Sequence, residues 1–340
     1  MKVLITGSNG FVGGYIVEEL LSNNYSVVGI DNFSKYGRVT KSYDSNKNFL
    51  FKEGDCKNTN LIYDLLDGCE YIIACAAMIG GISYFHEFAY DLIAENERII
   101  ASTFDAAIKR FQEGTLKKII VLSSSMVFES SNIFPSSEKD LKKIPSPLST
   151  YGFQKLSTEY FAKGAYEQYG LPYTIVRPFN CVGIGEGRAI SDKEIMSGNV
   201  KLALSHVLPD LIQKTLKGQN PLKILGSGNQ IRHYTHGKDL ARGIRLAIES
   251  PGAKNEDFNI STDKSTTVLE LAEMVWNEVH QGSLEFNYEK EEGFEYDVQK
   301  RIPDTSKAEK ILNFKAKIKI EESISEVTKW IKNEIKNGRM

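Results

Sequence analysis

Short apolar runs alternate with helically spaced ones through the first half of this chain. Residues 1–6 (MKVLIT), 26–30 (SVVGI), 48–53, 71–76 and 118–123 read as buried strands. Between them, residues 12–22, 61–66 and 89–112 read as helices. A further helix begins near Thr150 and leads into a strand at residues 173–177. Strands that alternate with helices predict a parallel sheet covered on both faces.

Past Asn180 the pattern loosens into a glycine- and charge-rich loop at residues 183–198. A helix at 209–217, short strands at 222–225 and 233–236, and a helix at 239–248 follow. At the end, Ile324, Val327, Ile331 and Ile335 recur at helical spacing with lysines between them, which predicts a docking helix against the core. No internal repeat or low-complexity tract interrupts the chain.

At 340 residues the chain exceeds what one core usually serves, so two lobes are expected. A net charge of −2 gives no general attraction for nucleic acid. Cys56, Cys69, Cys75 and Cys181 lack CxxC spacing and read as buried free thiols of a reducing compartment, with no metal site. The longest apolar run, residues 71–82, is too short to cross a bilayer, and no leader pattern precedes the first strand. The expectation is a cytoplasmic protein with no membrane partner.

Candidate chemistry begins at Thr6-Gly7-Ser8-Asn9-Gly10-Phe11-Val12-Gly13, where the first strand turns into the first helix. A tight turn needs a residue without Cβ, a pyrophosphate needs close backbone approach, and the helix start supplies unpaired N–H groups. A glycine triplet alone is common at such turns; its position after the first strand of an alternating chain points to a dinucleotide. Asp31 ends the second strand, where a carboxylate accepts from a ribose 2′-hydroxyl and repels a 2′-phosphate, favouring NAD over NADP. Asp31 and Asn32 could instead merely open a turn. Asp55 either meets the adenine amino group or caps the helix before Leu61.

Tyr151 and Lys155 stand four apart on one helix and so project from one face. An ammonium beside a phenol favours the phenolate, and a hydroxyl from Ser123-Ser124-Ser125 can hold a substrate oxygen. The three groups suit removal of a proton from an alcohol as its hydride leaves. YxxxK alone is frequent on helix surfaces; the glycine loop, Asp31 and the strand-end serines make chance a poor account.

With TGSNGFVG, IDN, Gly54-Asp55, ACAA, SSSMVF, YGFQK, RPFNCVG, QIRHYTHGKDLARG and RIPDTSKA in this order, the chain resembles the extended short-chain dehydrogenase/reductases of the NAD-dependent epimerase/dehydratase family, over essentially its whole length. The resemblance implies an α/β fold: a Rossmann-type, doubly wound, mostly parallel sheet of seven strands with a smaller C-terminal α/β lobe for substrate. Residues 1–180, with some return of 229–260, would hold NAD, and 181–340 a nucleotide-sugar. It implies Ser124 as the hydroxyl partner, with Ser125 as the alternative, and Asn96 on the nicotinamide side unless it is a solvated helix residue. Cys56, Ala76 and Ala77 would line the cofactor site. Pro178 and Phe179 would flank the nicotinamide at the cleft mouth, and Asn180 would face the substrate diphosphate.

His206, before Val207, stands where relatives carry a substrate-facing asparagine; helix capping would also explain it. Arg232 and Arg301 match diphosphate-binding arginines, whose planar fork suits phosphate oxygens, against the alternative of surface salt bridges. Gln299 lies near where some epimerases place that arginine. Residues 79–84 and 185–198 would frame the sugar, where Glu186 and Arg188 could touch a carboxylate or hydroxyl of an unusual sugar but read chiefly as solvated loop charges. The resemblance also implies a homodimer through helices near 89–112 and 150–169, where Phe161-Ala162 forms an apolar stripe suited equally to burial within one chain.

Reaction type follows from the surroundings of Ser124. The family's 4,6-dehydratases place an acidic pair after the hydroxyl residue, its UDP-glucuronate decarboxylases a glutamate at the position of Met126, and its GDP-sugar epimerase-reductases a cysteine near Ser125. Lacking a second acid–base group, this chain is expected to perform 4-epimerisation of a UDP-hexose or related nucleotide-sugar. Decarboxylation, dehydration and a non-catalytic NAD-binding regulator are the alternatives, the stretch Asp297-Val298-Gln299-Lys300-Arg301 resembling decarboxylases as much as epimerases.

Overall fold

The computed structural model describes residues 1–79, 88–186, 206–293 and 298–339. In the first half, strands β1 (Lys2–Thr6), β2 (Ser26–Asp31), β3 (Phe49–Glu53), β4 (Tyr71–Ala74), β5 (Lys118–Leu122) and β6 (Tyr173–Pro178) form within two residues of the expected bounds. Helices α1 (Phe11–Ser22), α2 (Thr59–Leu65), α3 (Ala89–Gln112) and α4 (Thr150–Tyr169) alternate with them. The α4 helix starts where Ser149 accepts from the Gly152 N–H and stops at Gly170, whose φ of 75° closes the last turn.

The second half contributes β7 (Cys181–Val182), α5 (Val207–Leu216), β8 (Leu222–Leu225), β9 (Ile231–Arg232), β10 (Thr235–His236) and α6 (Gly237–Glu249). After them come β11 (Glu256–Ile260), β12 (Thr266–Thr267), α7 (Val268–His280), β13 (Tyr288–Glu291), α8 (Ser306–Leu312) and α9 (Ile320–Lys336). The strand expected at 233–236 is instead two short pieces, β9 and β10, which pair with different partners, β12 and β7. Residues 80–84 and 187–198, including Arg188, and Asp297 lie outside the described residues.

Among the described residues the main sheet has seven strands in the order β11-β6-β5-β4-β1-β2-β3, every pairing parallel. Alternate strand residues serve opposite faces. Val3, Ile5, Ile73 and Ile120 pack against Ile16 of α1 and Ile244 of α6. Leu4, Ile72, Ile119 and Val121 pack against Phe104 of α3 and Ala162 of α4. Phe161 stacks on Phe104 with centroids 5.9 Å apart, so the 161–162 stripe is largely spent inside this chain. The strand β3 is not buried as expected: among the described residues it pairs only with β2, and as an edge leaves Leu50 59% exposed.

A separate core joins α5, α7, β8 and α9 around fully buried Trp276, with Ile324, Val327 and Ile331 facing it as the periodicity of α9 requires. Two of the four free thiols, Cys56 and Cys69, are buried as expected; Cys75 and Cys181, at strand ends, are only half-buried.

Charges are also buried in the sheet. Arg177 of β6, with no exposed surface, donates from Nε and Nη2 to the two oxygens of fully buried Glu159 on α4, both at 2.7 Å. It donates again to Asp257 on β11 at 2.7 Å, and Lys307 of α8 reaches the same carboxylate. Although burial opposes ionisation of Asp257, the charges and hydrogen bonds of Arg177 and Lys307 together outweigh it and hold the carboxyl down at about 2. Removing one partner of such a pair costs about 3–5 kcal/mol, because the other charge stays desolvated.

Lys118 of β5 is buried too, donating to the Ala247 carbonyl near the end of α6 at 2.7 Å. Burial pushes its ammonium from 10.5 down to about 8. The fold therefore bears the full cost of the charge below about pH 8, and that cost is relieved as pH rises from there towards the unfolded value. Lys118→Met loses this relief. Its melting temperature relative to wild type should fall between about pH 7 and about pH 10, and a constant gap would remove Lys118 as a titrating group.

Candidate active site

The register of the parallel sheet sets Thr6 opposite Ile30 and Ala74, Ala74 opposite Val121, and Leu122 opposite Val176. The segments that follow these strand ends therefore share one edge of the sheet, the place where open α/β folds take ligands. Gly7, Asp31, Cys75, Ser123 and Pro178 all arrive there.

The glycine loop is a cradle that side chains would fill. Gly7 has φ of 72°, and a Cβ on it would lie 2.9 Å from the Ala76 Cα. A Cβ on Gly13 would lie 2.0 Å from the Gly7 carbonyl oxygen. Gly10 is the residue before α1, and among the described residues no side chain caps that helix start, which leaves its N–H groups for an anion. Phe11 is buried against Tyr15, and Val12 packs on the same core, fixing the helix on the sheet. The Thr6 hydroxyl accepts from the N–H groups of Cys75 and Ala76 at 3.0 and 3.1 Å, joining the first and fourth strand ends. Ala77 follows in the same segment.

Asp31 does more than open a turn. Its carboxylate accepts from the Asn9 N–H at 3.0 Å and the Phe33 N–H at 2.8 Å, so it sits against the glycine loop. Burial raises its pKa, and those two hydrogen bonds work against the rise. Asn32 is exposed and accepts from the Ser34 N–H. Asp55 accepts from the Lys57 N–H and does not cap α2; Asn58 does, accepting from the Leu61 N–H. Cys56 lies buried beside the loop, its thiol pushed up to about 12. Glycines no side chain can replace, free helix N–H groups and a carboxylate one strand over fit a dinucleotide.

Ser124 precedes a tight turn, residues Ser125–Phe128, and its Oγ accepts from the Met126 N–H at 3.2 Å. It also hydrogen-bonds the Tyr151 phenol. Ser125 is buried in the turn. Tyr151 is 5% exposed, among Phe88, Leu92 and Met126. Burial raises its pKa; the bond from Ser124 and the charge of Arg301 pull it back. The Lys155 Nζ donates to the Leu122 carbonyl at 3.1 Å and lies 6.0 Å from the Tyr151 ring centroid. Burial pushes this ammonium down to about 8. Asn96 is not a solvated helix residue: it is buried, accepting from the Met78 N–H and donating to the Met78 carbonyl, and so pins the chain beyond β4.

Several expectations about the cleft mouth change. Pro178 ends β6, but the Phe179 ring is interior, 1% exposed and stacked on Phe128, so it does not open onto the cleft. Asn180 takes a φ of 37° and donates to the His233 carbonyl. His206 does not cap α5 through its side chain; its Nδ1 pairs with Glu186, which is buried rather than solvated. Val207 begins α5. Arg232 is buried, and the Arg301 N–H donates to the Ile231 carbonyl at 3.1 Å, so the two arginine segments run side by side rather than as separate surface charges. The Glu159–Arg177 pair escaped the sequence reading because a carboxylate on a helix ordinarily signals solvent.

A profile of the NAD dependent epimerase/dehydratase family matches residues 3–261. A putative UDP-glucose 4-epimerase of Methanocaldococcus jannaschii is 29% identical, the match spanning 97% of this chain and 98% of that one. A UDP-N-acetyl-alpha-D-glucosaminuronate decarboxylase of Bacillus cytotoxicus is 27% identical over 99% of both chains. The solved structure of UDP-glucose 4-epimerase from Thermotoga maritima with UDP-glucose superposes with a TM-score of 0.81 at 27% identity, covering 98% of this chain and 100% of that one. With a profile match across most of its length laid on this glycine cradle and tyrosine–lysine helix, the chain belongs to the NAD-dependent epimerase/dehydratase family.

Proposed function

We propose that this protein is an NAD-dependent nucleotide-sugar epimerase that inverts C4 of a UDP-hexose or a related nucleotide-sugar. The observation that carries the reading is a buried phenol, Tyr151, hydrogen-bonded to Ser124 with the Lys155 ammonium beside its ring, at the strand ends next to a dinucleotide cradle. In this reading Gly7, Asn9, Gly10, Phe11, Val12 and Gly13 take the pyrophosphate, and Asp31 with Asn32 the adenosine ribose. Asp55, Cys56, Ala76, Ala77, Asn96 and Pro178 complete the cofactor site. The cofactor, when bound, supplies a hydride acceptor and donor for the sugar carbon.

The protein's own part is proton handling and orientation. Tyr151 takes the proton of the C4 hydroxyl and gives it back, Ser124 holds the oxygen, and Lys155 favours the phenolate. Arg232 and Arg301 are assigned to the diphosphate. Ser125, Asn180, His206, Val207 and the backbone at Phe179 are assigned to the remainder of the substrate. The division of labour is residues 1–180, with return of 229–260, for NAD and the rest of 181–340 for the nucleotide-sugar, in a cytoplasmic enzyme. The decarboxylase relative supports a second reading, decarboxylation of a nucleotide-uronate. Against it, Met126 is apolar and buried where the resemblance would call for a glutamate.

A homodimer through α3 and α4 is part of the proposal. Phe153 and Tyr160, on one face of α4, are 49% and 67% exposed, and Tyr90 of α3 is 75% exposed. Exposed aromatics on adjoining helices are what a partner surface offers. Among the described residues, no helix is long and apolar enough to cross a membrane.

Purified protein given a UDP-hexose should interconvert the C4 epimers with no net accumulation of NADH; steady NADH release, or CO2 from a nucleotide-uronate, would overturn this. Tyr151→Phe should lower kcat by roughly 10²–10⁴-fold while leaving NAD content unchanged. Turnover should decline as pH rises through about 8, where the Lys155 ammonium loses its proton. Light scattering should give twice the chain mass for wild type and the single mass for Phe153→Ser with Tyr160→Glu; unchanged mass would place the interface elsewhere.

A further inference from the structure

We propose that the buried Glu159–Arg177 pair, acting through Ser123, is a positioning device that sets the distance between the Ser124 turn and the Tyr151 helix. The inference deepens the reading above, since it presumes that Tyr151 is the proton-transfer group.

Tyr151, Lys155 and Glu159 stand four apart on α4 and share a face. Two helical turns below the phenol, the Glu159 carboxylate meets three groups from elsewhere in the sheet. Ser123 Oγ donates to its Oε1 at 2.6 Å, Arg177 Nε donates to the same oxygen at 2.7 Å, and Arg177 Nη2 donates to Oε2 at 2.7 Å. Ser123 is the residue directly before Ser124, and its N–H donates to the Val176 carbonyl at 2.9 Å. The strand end is thereby tied at once to β6 and to α4.

The far end of the turn is held by the same arginine. Its guanidinium lies 5.4 Å from the centroid of the Phe128 ring, which closes the turn and stacks on Phe179. One desolvated charge pair thus clamps both ends of a six-residue segment, residues 123–128, whose second residue bonds the phenol. Apolar packing tolerates small slips, whereas a bidentate ion pair with no exposed surface has one geometry. If the clamp loosens, the Ser124 bond to Tyr151 weakens, and that bond favours the ionised phenol.

The charged groups facing Tyr151 among the described residues are Lys155 of its own helix and Arg301 of the C-terminal segment. The neighbours given by α3, the chain after β4, the serine turn and the C-terminal segment are apolar: Leu92, Met78, Met126 and Val298. None of these changes when Ser123 is altered.

The test uses the full chain with its cofactor, labelled with tyrosine carrying 13C at Cζ, the Tyr151 signal being assigned by its loss in Tyr151→Phe. Ser123→Ala removes the tie to Glu159 and leaves the ion pair in place. The Tyr151 titration should move upward by about one pH unit, and kcat should fall about tenfold with KM little changed. Ser123→Thr, which keeps the hydroxyl, should restore both. Glu159→Gln should reproduce the shift together with a lower melting temperature. Lys307→Met loosens the opposite end of the same network and should lower the melting temperature alone. If Ser123→Ala and Glu159→Gln lower stability but leave the Tyr151 titration and kcat at wild-type values, or if Lys307→Met shifts them equally, the positioning role is wrong. The titration needs no turnover: a shifted phenol in a protein inactive on nucleotide-sugars would sink the epimerase reading alone, and active enzyme indifferent to Ser123→Ala would sink this inference alone.

Discussion

Holding an ammonium and a phenol together out of water is the constraint that orders this molecule. Lys155 is lowered from 10.5 to about 8 by burial, which corresponds to roughly 3 kcal/mol of disfavoured charge. A lysine in that state is tolerable only where fixed dipoles receive it, and the Leu122 carbonyl at the end of β5 does so. The strand end, the serine turn and the first turns of α4 must therefore meet at hydrogen-bonding distance. The buried Glu159–Arg177 pair lies where those same elements join.

The cofactor side rests on a different economy. There the fold removes side chains instead of burying charges. Gly7 and Gly13 leave backbone at the surface of the loop, and Asp31 spends two of its acceptor positions on the Asn9 and Phe33 N–H groups. A carboxylate anchored in this way keeps its remaining lone pairs in a set direction. The Thr6 hydroxyl, accepting from two N–H groups after β4, keeps the two halves of the cleft floor in register.

The second core, around Trp276 and the apolar stripe of α9, contributes little chemistry of its own. Its place is set by the short pairings β7–β10 and β9–β12, and the segment beside β9 carries Arg301 back towards Tyr151. A residue late in the chain thus joins a site made mostly by the first half.

By itself the sequence determined the alternation of strands and helices, the parallel sheet, the glycine cradle, Asp31, and the pairing of Tyr151 with Lys155. These are local signals: a periodicity, a residue without Cβ at a turn, two side chains four apart on a helix. What only the tertiary structure decided is where charges and rings come to rest. A glutamate on a helix ordinarily faces solvent, and Glu159 is buried only because Arg177 arrives from a strand to neutralise it; Glu186 reads as a loop charge until His206 meets it. Phe179 reads as a lip of the cleft until Phe128 stacks on it and draws it inside. In each case the partner is distant in the chain, and burial of a polar or aromatic group is a property of the pair, which no single stretch of sequence encodes.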